Sequence, residues 1–349
     1  MLTNTLDPDP ARVVFVGNQK GGTGKSTVTA NVAHEAARLG AKVLLIDLDP
    51  NWGLTGEHLG FDPRPDNTPT VSDLLRDGDE GSAAKYLLTA PSQWQPNPDL
   101  PYNQGGPLPG TNGAVAFIPG FVNLTSTVEH LASEPAAEMR LRDALTGVAR
   151  HFDLVLIDTG PRADRISWLA LQAAGHALIV GNPEDGSTKG VEQHATFLAG
   201  YARTWRLPYT LTGVICTRYD NRNSKVHQQG LDWLTEVVNA LPESPVTARH
   251  THTPTPPLTD EPWETGATVW PALAQSSRLL HAARARAPLA AVLNAKGTAT
   301  TGLAAVERVK VAKVLAPYTQ IAARLLTVTD GPTLPAIQAA LTAHKETAP

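Results

Sequence analysis

The stretch Lys20-Gly21-Gly22-Thr23-Gly24-Lys25-Ser26-Thr27 decides how this chain is read. It sits between a short apolar run, residues 13–17, and a helical pattern, residues 25–39, with Gly40 placed as a C-cap. A Gly-rich loop between a strand and a helix lets backbone N–H groups and the helix N-terminus face phosphate. In that reading Gly21, Gly22, Thr23 and Gly24 form the cradle. Lys25 reaches the β and γ oxygens, the Ser26 hydroxyl ligates Mg²⁺, and Thr27 contacts the α-phosphate.

Outward from the loop, further apolar runs lie at 43–48, 114–118, 154–158, 177–181 and 211–217. Each is short, apolar on both faces and bounded by Gly, Pro or Asp, the pattern of buried parallel strands. Their alternation with helical segments predicts an α/β fold: a P-loop NTPase with a mostly parallel sheet and helices on both faces. Residues 90–112 hold six prolines and three glycines in 23 positions, which predicts an inserted surface loop. The tail after about residue 287 reads as two or three helical pieces, split at Gly302, Pro317 and Gly331-Pro332.

Three carboxylates cluster at strand ends. Asp47 and Asp49 alternate at the end of the second run, so they project to one side at the carboxyl edge, where open α/β sheets bind ligands. Asp158 ends the run Leu154-Val155-Leu156-Ile157 and is placed to approach Mg²⁺.

The position five residues before Gly24, a glycine in the ordinary P-loop, is Gln19, and a second lysine, Lys20, opens the loop. This Lys-Gly-Gly-x-Gly-Lys-Ser pattern resembles the deviant Walker A box of the ParA/MinD group, and the chain is similar to ParA partition ATPases from about residue 12 to 285. The resemblance implies that Lys20 crosses a dimer interface to the partner's ATP, as an arginine finger would. It implies that Asp49 positions the hydrolytic water, that Asp47 supports loop and metal, and that Thr217 and Arg218 lie near the base. Asn51-Trp52 replaces the usual Gln-Gly of switch I, and Gly160 replaces the first proline of switch II. The implied function is an ATP-dependent homodimer, with ATP and Mg²⁺ as cofactors, that binds DNA non-specifically. A ParB-like centromere-binding partner stimulates its slow hydrolysis, so that it segregates or positions a plasmid or chromosome. Arg222 matches a family arginine in DNA contact, and Lys225, Arg249 and Arg278 extend that face. The expected organisation is a tail (1–11), an ATPase domain (12–287) and a helical C-terminal extension (288–349).

Composition prunes the rivals. The 349 residues carry a net charge of -4, but residues 271–349 hold nine basic against three acidic side chains, so the end of the chain is +6 and the rest -10. A basic end suits a polyanion. Cys216 is the single cysteine, which excludes an internal disulfide and any cluster site needing two cysteines per chain. No run reaches the ~18 apolar residues of a membrane span. Residues 1–10 lack the charge and apolar core of a secretory signal. The expected location is therefore cytoplasmic, without stable membrane insertion, and the resemblance implies association with the nucleoid. The alternatives are a MinD-like membrane-surface ATPase and a ParA-like positioner of a protein cargo.

Overall fold

The computed structural model describes residues 12–101, 104–182, 185–207, 210–218, 269–270, 285–294 and 305–329, with Asp232, Leu273 and Ala282 singly. Its centre is a sheet of eight strands in the order β3-β4-β2-β5-β1-β6-β7-β8. These are β1 (Val13–Gly17), β2 (Lys42–Leu48), β3 (Leu88–Thr89), β4 (Ala114–Ile118), β5 (Leu154–Thr159), β6 (His176–Gly181), β7 (Thr210–Cys216) and β8 (Val269–Trp270). All pair in parallel except β3, which is antiparallel to β4 at one edge. The six anticipated strands are all present, each displaced by one residue at most. Leu88–Thr89 is too short to carry a periodicity of its own.

Alternation along each strand sorts side chains to two cores. Val14 and Val16 of β1 join Leu45 of β2 and Leu156 of β5 beneath helix α1 (Lys25–Arg38). Val13 and Phe15 join Leu44, Ile46, Val155 and Ile157 on the opposite face. That face is covered by α2 (Val71–Asp77), α3 (Leu124–Leu131), α4 (Arg140–Leu145), α5 (Arg165–Ala173) and α6 (Asp185–Trp205). Burial on both faces is why the strands read as unbroken apolar runs.

The last described helix, α7 (Ala305–Val328), packs on α1. Leu315, Tyr318, Ile321, Ala322, Leu325 and Leu326 enter the same core as α1. The expected break at Pro317 is absent: the proline lies inside the helix. A mid-helix proline costs about 3 kcal/mol. Buried Leu315 and Tyr318 on either side anchor both halves to α1 and offset it. The Pro/Gly-rich segment is likewise not purely a surface loop. Trp94, 1% exposed, drops from it into the core, and its Nε1 donates to the carbonyls of His58 (3.1 Å) and Arg286 (3.0 Å).

Helix α1 is held by buried polar contacts as well as apolar ones. Arg38 gives Nη1 to both Glu35 oxygens (2.8 and 2.7 Å) and Nε to Gly106 O (3.0 Å). Thr319 of α7 donates to Glu35 Oε2 (2.6 Å). Burial alone would raise the Glu35 carboxyl. The Arg38 charge and the surrounding hydrogen bonds outweigh it and hold the group at about 2. This polar knot ties the P-loop helix to both the Pro-rich segment and the C-terminal helix.

Burial lowers the pKa of three buried histidines beside the core: His34, His58 (to about 4) and His194 (to about 3), with His176 buried as well. Unfolded histidine titrates near 6.5, so below that pH the unfolded chain binds protons that the fold refuses. Stability from these groups is complete above pH 6.5 and is lost as pH falls toward the folded values. By pH 5 each of His58 and His194 should remove about 2 kcal/mol. Because Asp47 and Asp158 are raised and act in the opposite sense over this range, the test is a difference: between pH 7.5 and 5, chemical denaturation of His194→Phe should lose about 2 kcal/mol less stability than wild type.

Candidate functional site

The phosphate loop connects β1 to α1. Gly22 (φ 72°) and Gly24 (φ 89°) take left-handed conformations that glycine adopts at low cost. Gly24 is the N-cap of α1, makes no side-chain cap, and is followed by no acid in the first turn. The helix N-terminus is therefore left for an anion. Asn18, which no sequence signal marks, pins the start of the loop. Its Nδ2 donates to Val180 O (2.8 Å) and its Oδ1 accepts from Lys20 N (3.0 Å). Thr217 fastens the other side: its hydroxyl donates to Thr23 O (2.6 Å), with Gly181 O also in reach (2.9 Å), and its N–H donates to Gly181 O (2.7 Å). So Thr217 supports the loop from the end of β7. Arg218, left-handed at φ 56°, lies beside Gly22.

The two lysines differ in setting. Lys25 is 6% exposed and its Nζ donates to Lys20 O (3.3 Å). Burial lowers its pKa, while Asp158 and Asp49 oppose that shift. Lys20 stands half-buried at the lip beside exposed Gly21 and Gly22.

Asp47 and Asp158 are partners in the β2–β5 register, so two buried carboxylates stand side by side. Asp47 is committed within the chain. Oδ1 accepts from Asp49 N (3.0 Å), and Oδ2 from Thr55 N (2.8 Å) and Thr55 Oγ1 (2.7 Å). Asp158 Oδ1 accepts from Thr29 Oγ1 (3.2 Å), but its Oδ2 is buried with no hydrogen bond of normal geometry. Burial, then Asp47, push the Asp158 carboxyl well above the usual range, against the pull of Ser26 and Lys25. Such a pair asks for a cation. An orphaned oxygen with the Ser26 hydroxyl beside it fits a hard, oxygen-seeking ion such as Mg²⁺.

Asp49 follows at the strand mouth, 9% exposed, its Oδ1 accepting from Asn51 N (2.9 Å) and Asn51 Nδ2 (3.1 Å). A Cβ on Gly160 would come within 3.1 Å of that oxygen. The glycine that departs from the expected proline thus lets Asp49 approach switch II. Trp52, where glycine was the expected type, is held at φ 45°. A left-handed residue of this bulk is strained by about 1–2 kcal/mol. Edge contact with Phe121 (centroids 5.5 Å) and the Arg64 guanidinium over its ring (5.7 Å) hold it there. A cavity of about 380 Å³ opens beside Asp49, between Pro50, Val122, Gly160, Arg162 and Asp164. Arg222, Lys225, Arg249 and Arg278 lie outside the described residues.

Sheet order, loop and strand-end acids together define a P-loop nucleotide-binding protein. Residues 14–252 match the CobQ/CobB/MinD/ParA nucleotide binding domain, and the chain belongs to that family. It is 29% identical over 219 residues to a chromosome partitioning protein ParA of Myxococcus xanthus, covering 62% of this chain and 68% of that one. An ATP complex of a Cyanothece McdA variant shares the fold, with TM-score 0.63, 19% identity and coverage of 89% of this chain and 95% of that one. A Mycobacterium smegmatis cobyrinic acid a,c-diamide synthase with bound ADP and magnesium matches with TM-score 0.52 and 28% identity, over 66% of this chain and 82% of that one.

The crowded carboxylates generate a prediction. Asp158→Asn keeps the Thr29 acceptor and cannot ionise beside Asp47. The apo protein should melt at the wild-type temperature or above it. A ligand at a hundredfold excess over Kd stabilises by about 3 kcal/mol. With Mg²⁺-ADP at such an excess wild type should show this gain, and the variant should lose the part that depends on Mg²⁺.

Proposed function

We propose that the chain is an ATP-dependent dimerising switch that binds DNA non-specifically and hydrolyses ATP to segregate or position a plasmid or chromosome. The observation that carries this reading is the contrast within one loop. Lys25 is buried against the carboxylates, where it can serve its own subunit's phosphates. Lys20 stands at the solvent-facing lip, where a second subunit's phosphates could reach it.

In this reading the backbone of residues 21–25 and the Lys25 ammonium bind the ATP phosphates. Ser26 and Asp158 would hold Mg²⁺, which when bound neutralises phosphate charge. Asp47 acts from behind, bracing the strand mouth through Thr55. Asp49, at the opening, orients the attacking water. Lys20 meets the charge that develops on the partner's nucleotide. Residues 12–287 form the ATPase, and 288–349 an extension whose helix α7 stiffens α1. Arg222, Lys225, Arg249 and Arg278 are proposed to contact DNA phosphates in the dimer. A ParB-like partner is proposed to speed the slow hydrolysis and release the DNA. The partition relative named above supports this reading. Among the described residues, no helix is long and apolar enough to cross a membrane. The proposed location is the cytoplasm, on the nucleoid.

The test is binding to random-sequence duplex DNA with Mg²⁺-ATP, Mg²⁺-ADP or no nucleotide across a salt series, run beside sedimentation with anionic liposomes. Binding should need ATP. It should weaken by about 10³-fold or more between 50 and 200 mM salt if six or more phosphates are contacted. ATP-dependent liposome binding without DNA binding would replace this reading with a membrane-surface ATPase.

A further inference from the structure

The residues between Trp52 and Leu59 form a π-helical turn, Gly53–His58, in which Leu59 N donates to Leu54 O (2.9 Å). Such turns are rare and place side chains where an α-turn would not. Both sides of this one are pinned. Leu54 is fully buried, and Thr55 is tied to Asp47 and accepts from Gly120 N (2.9 Å). At its end the His58 ring reaches the phosphate loop, with Nε2 3.3 Å from Thr27 Oγ1. Behind it, the His58 carbonyl accepts from Trp94 Nε1. The tryptophan of the Pro/Gly-rich segment therefore buttresses the histidine that touches the loop. Burial lowers the imidazole to about 4, so the ring is neutral near pH 7 and one nitrogen carries the only proton.

The chemistry of the contact selects which nitrogen that is. Phosphate oxygens accept hydrogen bonds, so a threonine that serves a phosphate must give up its one hydroxyl proton to it. Thr27 can then only accept from His58. We propose that His58, as its Nε2–H tautomer, donates to Thr27 Oγ1 and turns the Thr27 proton toward the α-phosphate, acting as a positioning residue for nucleotide binding. This rests on the nucleotide reading of the loop. It adds a residue outside the loop that tunes how the loop holds its ligand.

The test measures Mg²⁺-ADP affinity of the full chain by calorimetry, with apo thermal unfolding followed in parallel. The variants are His58→Phe, His58→Gln, Thr27→Val and the His58→Phe/Thr27→Val double. Phe keeps the ring and the packing but has no donor; the Gln amide can replace the Nε2–H. His58→Phe and Thr27→Val should each weaken binding by about 3- to 10-fold, the worth of one hydrogen bond. The double should be no worse than the weaker-binding single, and His58→Gln should recover most of the loss. Wild-type affinity in His58→Phe would overturn the proposal. So would losses that multiply in the double, or a His58→Gln variant as weak as His58→Phe. If wild type itself fails to bind Mg²⁺-ADP, the nucleotide reading falls and this inference with it. If wild type binds and the His58 variants match it, only the inference falls.

Discussion

Two carboxylates buried side by side, Asp47 and Asp158, set the terms for everything around them. Adjacent strand register forces them together at the mouth of the sheet, and burial makes their shared charge unfavourable. The fold answers asymmetrically. Asp47 accepts three hydrogen bonds from Asp49 and Thr55 and becomes a brace. Asp158 keeps one buried oxygen with no hydrogen bond of normal geometry, with Ser26 and Lys25 close enough to pull on its charge. A braced acid beside one that keeps a spare acceptor oxygen leaves a place suited to a cation.

A similar division of roles explains how the phosphate loop is held. Its glycines need left-handed backbone, and its helix starts without a side-chain cap, so little within the loop itself fixes its shape. Support comes from elements far away in sequence: Asn18 against Val180, Thr217 against Thr23, and His58 against Thr27. Helix α1 is clamped in turn by Gly106 and Thr319 through the Arg38–Glu35 pair. The Pro-rich segment and α7, read from sequence as additions to the ATPase, thus reach the helix that carries Lys25.

Much of this was legible in the sequence because the signals were local. A strand, a glycine loop and a helix in succession give the phosphate site, and apolar runs on both faces give a parallel sheet. Asp47, Asp49 and Asp158 declare themselves as acids at the ends of such runs. What stayed hidden depends on contacts across long separations. Trp94 looks like one residue of a turn-rich loop until its indole is seen between His58 and Arg286. Pro317 looks like a helix end until its neighbours are seen buried on α1. Thr55 and Thr29 carry no mark that would tie them to Asp47 and Asp158, eight and 129 residues away. The left-handed Trp52 could not be anticipated either, because side-chain packing rather than backbone preference holds it.

The central claim is that one loop carries a lysine for its own nucleotide and another for a second subunit's. Sedimentation velocity of wild type and Lys20→Gln with Mg²⁺-ATP, Mg²⁺-ADP and no nucleotide tests it most directly. Wild type should form a dimer with ATP alone, and Lys20→Gln should bind ATP yet remain a monomer. Equal dimerisation of the two proteins with ATP would contradict the account.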